Sequence, residues 1–100
     1  MLNWYNNFDD IPESLYEGIT LEEQDSRSGW KYGSEINIPS TGKRHFRATI
    51  TVRKKQINMG IFCDAKIACL VASFAVQKAI MMGRDYPLSK EETYKLLKII

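Results

Sequence analysis

Histidine occurs once in these 100 residues and cysteine twice, and both scarcities exclude chemistry. With His45 the sole imidazole, no Ser/His or Cys/His catalytic pair can be built beyond it, and a partly exposed turn residue is its plainer role. Cys63 and Cys69 fall in or beside one expected helix, with no second Cys/His pair to complete a tetrahedral zinc site. They read as reduced, buried packing residues, so a cytoplasmic setting is expected. Long apolar runs are missing too: Lys66 and Gln77-Lys78 interrupt the longest candidate, and no membrane span is expected. The opening MLNWYNNFDD has neither the basic start nor the apolar stretch of a signal peptide. Asp9-Asp10 is a carboxylate pair without neighbouring ligands, which fits helix capping better than metal binding. No cofactor, no metal site and no enzymatic activity are expected.

Charge of one sign is also locally absent. No carboxylate occurs from His45 to Ile61. The chain as a whole is nearly neutral, with 14 Lys and Arg against 12 Asp and Glu. That average hides a split. Residues 1–29 hold seven carboxylates against Arg27 alone, a formal −6, and residues 30–100 hold the other 13 cations against 5 anions, a formal +8. An acidic lead and a basic body point to a polyanionic partner or to masking of one part by the other.

What is present begins with a period of two. Phe46, Ala48, Ile50 and Val52 alternate with His45, Arg47, Thr49 and Thr51, and Arg53 continues the second row. That is a strand with one face on a core and the other on solvent or a ligand. Beyond Arg53-Lys54-Lys55, the residues Ile57, Met59 and Ile61 resume the apolar alternation, with Gln56, Asn58 and Gly60 opposite. Trp30, Tyr32, Ser34, Ile36 and Ile38 alternate in the same way before the turn chemistry of Pro39-Ser40-Thr41-Gly42. Three strands are therefore expected at about 30–38, 45–53 and 55–62, joined as an antiparallel meander.

Asp64 is a good N-cap for a helix running to about Met82 and stopped by Gly83. Ala65, Ala68, Ala72, Ala75 and Ala79 form a stripe of small residues on it, while Ile67, Leu70, Val71, Phe74 and Met81 lie opposite. A lone sheet cannot cover both sides. The N-terminal aromatics, a last helix or a second subunit must cover the other. Asp10-Ile11-Pro12-Glu13 reads as a helix start with Asp10 as cap, and Gly18 as the end of a turn or two. The last helix starts at Ser89, with Glu92 completing a capping box and Leu96, Leu97 and Ile100 presented. The fold class is α+β: a three-stranded antiparallel sheet packed on one long helix, plus a short C-terminal helix and an N-terminal helical segment. Residues 1–29 form an acidic, aromatic segment docked on the domain, 30–83 the sheet and helix, and 84–100 the C-terminal helix.

In this register the segment over about residues 30–80 resembles the DNA-binding domain of the ethylene-response-factor (APETALA-two) family, which also occurs in phage and mobile-element proteins. The family's W-x-A-x-I reads Phe46-Arg47-Ala48-Thr49-Ile50 here, with Phe in place of Trp. Its L-G-x-F reads Met59-Gly60-Ile61-Phe62, and its helix alanines fall on Ala65, Ala68 and Ala75. The first-strand signature Y-R-G-V-R is reduced to Tyr32-Gly33-Ser34-Glu35, without its arginines. The topology is also similar to the arm-binding domains of phage integrases. The resemblance implies a sheet whose exposed face enters the major groove of duplex DNA.

A basic two-stranded ribbon suits that groove on its own chemistry, since Arg, Asn, Gln and Thr can read base edges there. Arg47, Thr49, Thr51 and Arg53, with His45 in the same row, are the expected base and backbone contacts. Lys43, Arg44, Lys54 and Lys55 stand at the strand ends, suited to phosphates. Lys and Arg are also common on exposed sheets for solubility alone. The expected function is duplex DNA binding in a regulatory or recombination-accessory role, by a monomer or by a homodimer formed through the helix back face. The competing expectation is a small phage-type adaptor or inhibitor that binds a host protein through its acidic N-terminal segment.

Overall fold

Three antiparallel strands carry the alternation of the sequence, side by side in chain order: β1 (Gly33–Asn37), β2 (Arg44–Val52) and β3 (Lys55–Phe62). A 17-residue helix, α1 (Ala65–Met81), and a shorter one, α2 (Lys90–Leu97), follow them. The computed structural model describes residues 4–25, 29–37, 42 and 44–99. The fold is mixed α+β, with the long helix packed on all three strands. The strand at Trp30 starts later than alternation predicts. Tyr32 takes a left-handed backbone (φ +69°), and Trp30 instead forms an isolated bridge to Glu23. Ile38 and Pro39-Ser40-Thr41 lie outside the described residues.

Val52 pairs with Lys55, which leaves Arg53-Lys54 as a two-residue hairpin loop. Arg53 therefore belongs to the turn and does not continue the row of β2. Both loop residues are left-handed, with φ +51° and +68°, the sign pattern of a type I′ turn. That turn matches the twist of the flanking strands but favours Asn-Gly. A side chain bearing a Cβ costs roughly 1–2 kcal/mol at each such position.

The second irregularity re-aims β3. Its register passes from Ala48↔Gly60 directly to Thr49↔Asn58, so Met59 is an extra residue, a β-bulge. Gly60 has φ +117°, and a Cβ there would run into the Tyr94 hydroxyl of α2. Tyr94 Oη donates to the Met59 carbonyl at 2.6 Å, and Asn58 Oδ1 accepts from the Gly60 N–H at 2.9 Å. The polar groups displaced by the bulge are thus bonded from α2 and from within β3. Simple alternation predicts Ile57, Met59 and Ile61 on one face and Gly60 on the other. Instead, Met59 and Gly60 both turn inward, Phe62 follows them opposite Phe46, and Ile61 faces outward opposite Arg47.

Asp64 Oδ1 accepts from the Lys66 N–H at 2.8 Å and caps α1, and Gly83 leaves the helix with φ +76°. All five alanines of the stripe are buried, and so are Ile67, Leu70, Val71 and Phe74 on the other side, so α1 is enclosed nearly all round along its first eleven residues. Three things enclose it. The sheet covers one side. Residues 8–22 cover the stripe of Lys66, Cys69, Ser73 and Gln77. Gln77 exchanges hydrogen bonds with the Thr20 backbone at 2.8 and 2.7 Å, the Cys69 thiol reaches the Glu22 carbonyl, and Lys66 Nζ stands 4.2 Å from the centre of the Phe8 ring. On the β3 side, Leu88 bonds the Ala75 carbonyl and leads into α2. Cys69 is buried, but Cys63, expected to be buried, is exposed because it follows the last residue of β3 and precedes the cap.

The N-terminal helix start is corrected. Residues Phe8–Asp10 and Glu13–Leu15 form two separate 3-10 turns, and the first is capped by Asn7, not Asp10. Pro12, which has no N–H and sits in extended backbone, separates them. At α2, Ser89 Oγ accepts from the Glu92 N–H as the capping pattern predicts. Hydrogen bonds from the Arg84 guanidinium, with Ser89 adding to them, hold the Glu92 carboxyl below its usual range. Leu97 is buried and Leu96 is exposed, and Ile100 lies outside the described residues.

The bulge makes a specific stability prediction. Gly60→Ala is expected to cost about 2–4 kcal/mol, from left-handed strain and the displaced Tyr94 bond. Tyr94→Phe is expected to cost about 1–2 kcal/mol, and Gly60→Ala is expected to cost less in that background than alone. Urea unfolding of the two single variants and the double variant checks this.

Burial pushes the Tyr94 phenol from 10.0 up to about 12. The neutral phenol is thus favoured by folding, so its contribution is complete below pH 10 and lost as pH rises toward 12. The stability difference between wild type and Tyr94→Phe should shrink over that window, measured by unfolding at each pH.

Candidate nucleic-acid interface

The outer face of the sheet, turned away from α1, is built of cross-strand rows fixed by the register. At one end Ile36 stands opposite His45. Arg47 comes next, between Ser34 of β1 and Ile61 of β3. Thr49 lies beside Asn58 and Thr51 beside Gln56, and Arg53-Lys54 closes the ribbon. Ser34, Arg47, Thr51, Arg53, Lys54, Lys55, Gln56 and Asn58 are exposed, and Thr49 and Ile61 are half-buried. No residue of this ribbon from Arg44 to Phe62 carries a carboxylate.

Sequence alternation places two site residues differently from the structure. His45 is expected on the exposed row, but it is only 2 % exposed. It pairs with Ile36 of β1, one position beyond the last β2–β3 pair (Phe46↔Phe62), and its imidazole is enclosed rather than presented. Arg44 is exposed but engaged. Its guanidinium makes two bonds to the Glu35 carboxylate, at 2.8 and 3.1 Å, and lies 5.6 Å from the Phe46 ring centre. The Glu35 bonds push the Arg44 pKa further up. Arg44 is a partly neutralised cation on the α1 side of the sheet edge, not an open phosphate contact. Lys43 lies outside the described residues. Arg47, Thr49 and Thr51 share the outer face, Arg53 and Lys54 form the hairpin tip, and Lys55 stands beside them opposite Val52, in the row on the α1 side.

Four more side chains join that face: Ser34, Gln56, Asn58 and Ile61. Alternation reveals Gln56 and Asn58. Ile61 could be found only by reading Gly60, an isolated glycine within a strand, as the mark of a bulge.

The acidic segment lies elsewhere. Asp9, Asp10, Glu13 and Glu17 are exposed on the layer that rests on α1 through Phe8 and Thr20. Glu22 is paired with Lys31 at 3.1 Å. The exposed carboxylates of residues 9–17 are thus carried by the layer on α1 and not by the ribbon. Among the described residues, no group of three His, Cys, Asp or Glu side chains could hold a metal ion, and no helix is long and apolar enough to cross a membrane. Comparison with family models, curated proteins and solved structures finds no match for the chain.

The hairpin tip carries its own prediction. Replacing Arg53-Lys54 by Asn-Gly relieves two left-handed side chains and should raise stability by about 1–2 kcal/mol, read by thermal or urea unfolding. If the tip contacts phosphates, the same variant should bind duplex DNA more weakly in spite of its added stability.

Proposed function

We propose that the protein binds duplex DNA by laying the outer face of β2 and β3 in the major groove. The observation that carries this reading is the composition of one open face. A carboxylate-free ribbon presents Arg47, Thr49, Thr51, Gln56 and Asn58 in adjacent rows and ends in the cations Arg53, Lys54 and Lys55. A two-stranded ribbon fits the width of that groove, and these side chains match the donor and acceptor patterns of base edges. The strained tip supports the same reading. Two cations hold left-handed positions where uncharged Asn-Gly would be more stable, as residues kept for contact rather than for folding do. The resemblance to the ethylene-response-factor domain agrees with this use of the sheet and extends it to a regulatory or recombination-accessory role.

The roles divide by position. Arg47, at mid-strand, faces base edges, and its fork suits the O6 and N7 of guanine. Lys54 and Lys55 lie over phosphates and fix register without reading sequence. Arg47→Ala should weaken binding to the preferred site by about 1–3 kcal/mol and relax preference there. Lys54→Ala and Lys55→Ala should weaken all duplexes alike, each flattening the slope of log affinity against log salt by about one unit. Melting temperatures should barely move, because all three side chains are exposed. Titration of labelled duplexes at low and high salt measures each effect. A wild type that binds no duplex at low salt would defeat this reading and leave the protein-binding adaptor, with its separate acidic face, as the reading to test by pull-down.

A further inference from the structure

Ile61 is an apolar side chain in an unusual place. It is half-buried, yet it does not join the apolar cluster formed by α1, Phe46, Ile50, Met59 and Phe62. The bulge at Met59 turns it to the outer face, directly across from the exposed Arg47. Without the extra residue, alternation would put Ile61 under the sheet and Gly60 beside Arg47. The structure thus spends a bulge, a left-handed glycine and the Tyr94 hydrogen bond on a geometry that sets an isoleucine beside an arginine.

We infer that Ile61 is a specificity-determining residue that packs on the 5-methyl group of a thymine next to the guanine read by Arg47. This rests on the proposed use of the ribbon in the major groove. Thymine is the base that presents a methyl group there, and an apolar side chain is what recognises it. Directly paired residues on neighbouring strands hold their Cβ atoms about 4.5–5.5 Å apart. That spacing lets the two side chains reach base pairs one step apart, about 3.4 Å along the helix axis. Ser34, Thr49 and Asn58 adjoin the Arg47–Ile61 row with polar groups, and the other isoleucine of the face, Ile36, lies across β2 from Ile61, in the next row opposite His45.

The test uses the full chain and a duplex pool with a randomised core, from which the wild type selects its preferred site. Each thymine of that site is then replaced singly by deoxyuridine, which removes the methyl group and leaves every hydrogen-bonding atom in place. At one thymine, neighbouring the guanine whose replacement hurts most, deoxyuridine should weaken wild-type binding about four-fold, as expected for one buried methyl group. Ile61→Ala should bind the thymine and deoxyuridine duplexes equally, keep the wild-type preference at the guanine, and melt near the wild-type temperature. Ile61→Val, which keeps a branched alkyl surface, should retain most of the discrimination. If the wild type binds its site and no thymine position responds, or if Ile61→Ala keeps the full response, the inference about Ile61 is overturned and DNA binding stands. A wild type that binds no duplex overturns both.

Discussion

One hydrogen bond, from Tyr94 Oη to the carbonyl of Met59, connects the C-terminal helix to the sheet irregularity that shapes the outer face. A bulge leaves a strand with polar groups that its neighbour no longer meets, and burial makes such groups costly unless something else bonds them. Here Tyr94 reaches one of them, and Asn58 Oδ1 reaches the Gly60 N–H. Space for the tyrosine exists only because residue 60 has no Cβ. Helix, glycine and bulge therefore depend on one another, and the outward position of Ile61 depends on all three. α2 contributes no side chain to the outer face, but it helps determine which residues appear there.

The opposite end of the same ribbon is less comfortable. Arg53 and Lys54 occupy left-handed positions with no glycine or asparagine to ease them. The core does not demand this choice, since both side chains are exposed and Asn-Gly would close the hairpin with less strain. The cost therefore falls on two exposed cations at the tip of the ribbon. The bulge and the tip are opposite in kind: one irregularity is held by hydrogen bonds from Tyr94 and Asn58, while the other is strained and exposed.

How legible each part was in the sequence follows from the range of the forces involved. The helix from Asp64 to Gly83 and the cap at Ser89 are set by residues a few positions apart, so their sequence patterns predict them well. The strands of the ribbon follow from period two, which is equally local. The failures are non-local. Gly60 announces an irregularity, but the direction in which β3 bulges is set by Tyr94, 34 residues later. Alternation gives His45 a face but not an exposure: it and Arg47 share a row, yet one is buried and the other exposed. Arg44 reads as a free cation until the register brings Glu35 diagonally across from it. The N-terminal turns went astray for a local reason, because Pro12 divides what looked like one helix start.

The arrangement of charge follows from the packing of α1. A helix apolar on so much of its circumference needs more cover than three strands provide, and residues 8–22 supply it with the aromatic side chains of an otherwise acidic segment. Because those aromatics must reach α1 on a side the sheet leaves open, their neighbouring carboxylates are carried there with them. Arg47 meanwhile faces outward and Arg53-Lys54 stand at the tip, since β2 and β3 bury their other side against the helix. Hydrophobic cover thus carries the exposed carboxylates of residues 9–17 onto α1, on a layer separate from the ribbon. A polyanion approaching such a body meets attraction on one side and repulsion on the other, which favours encounter with the ribbon face foremost.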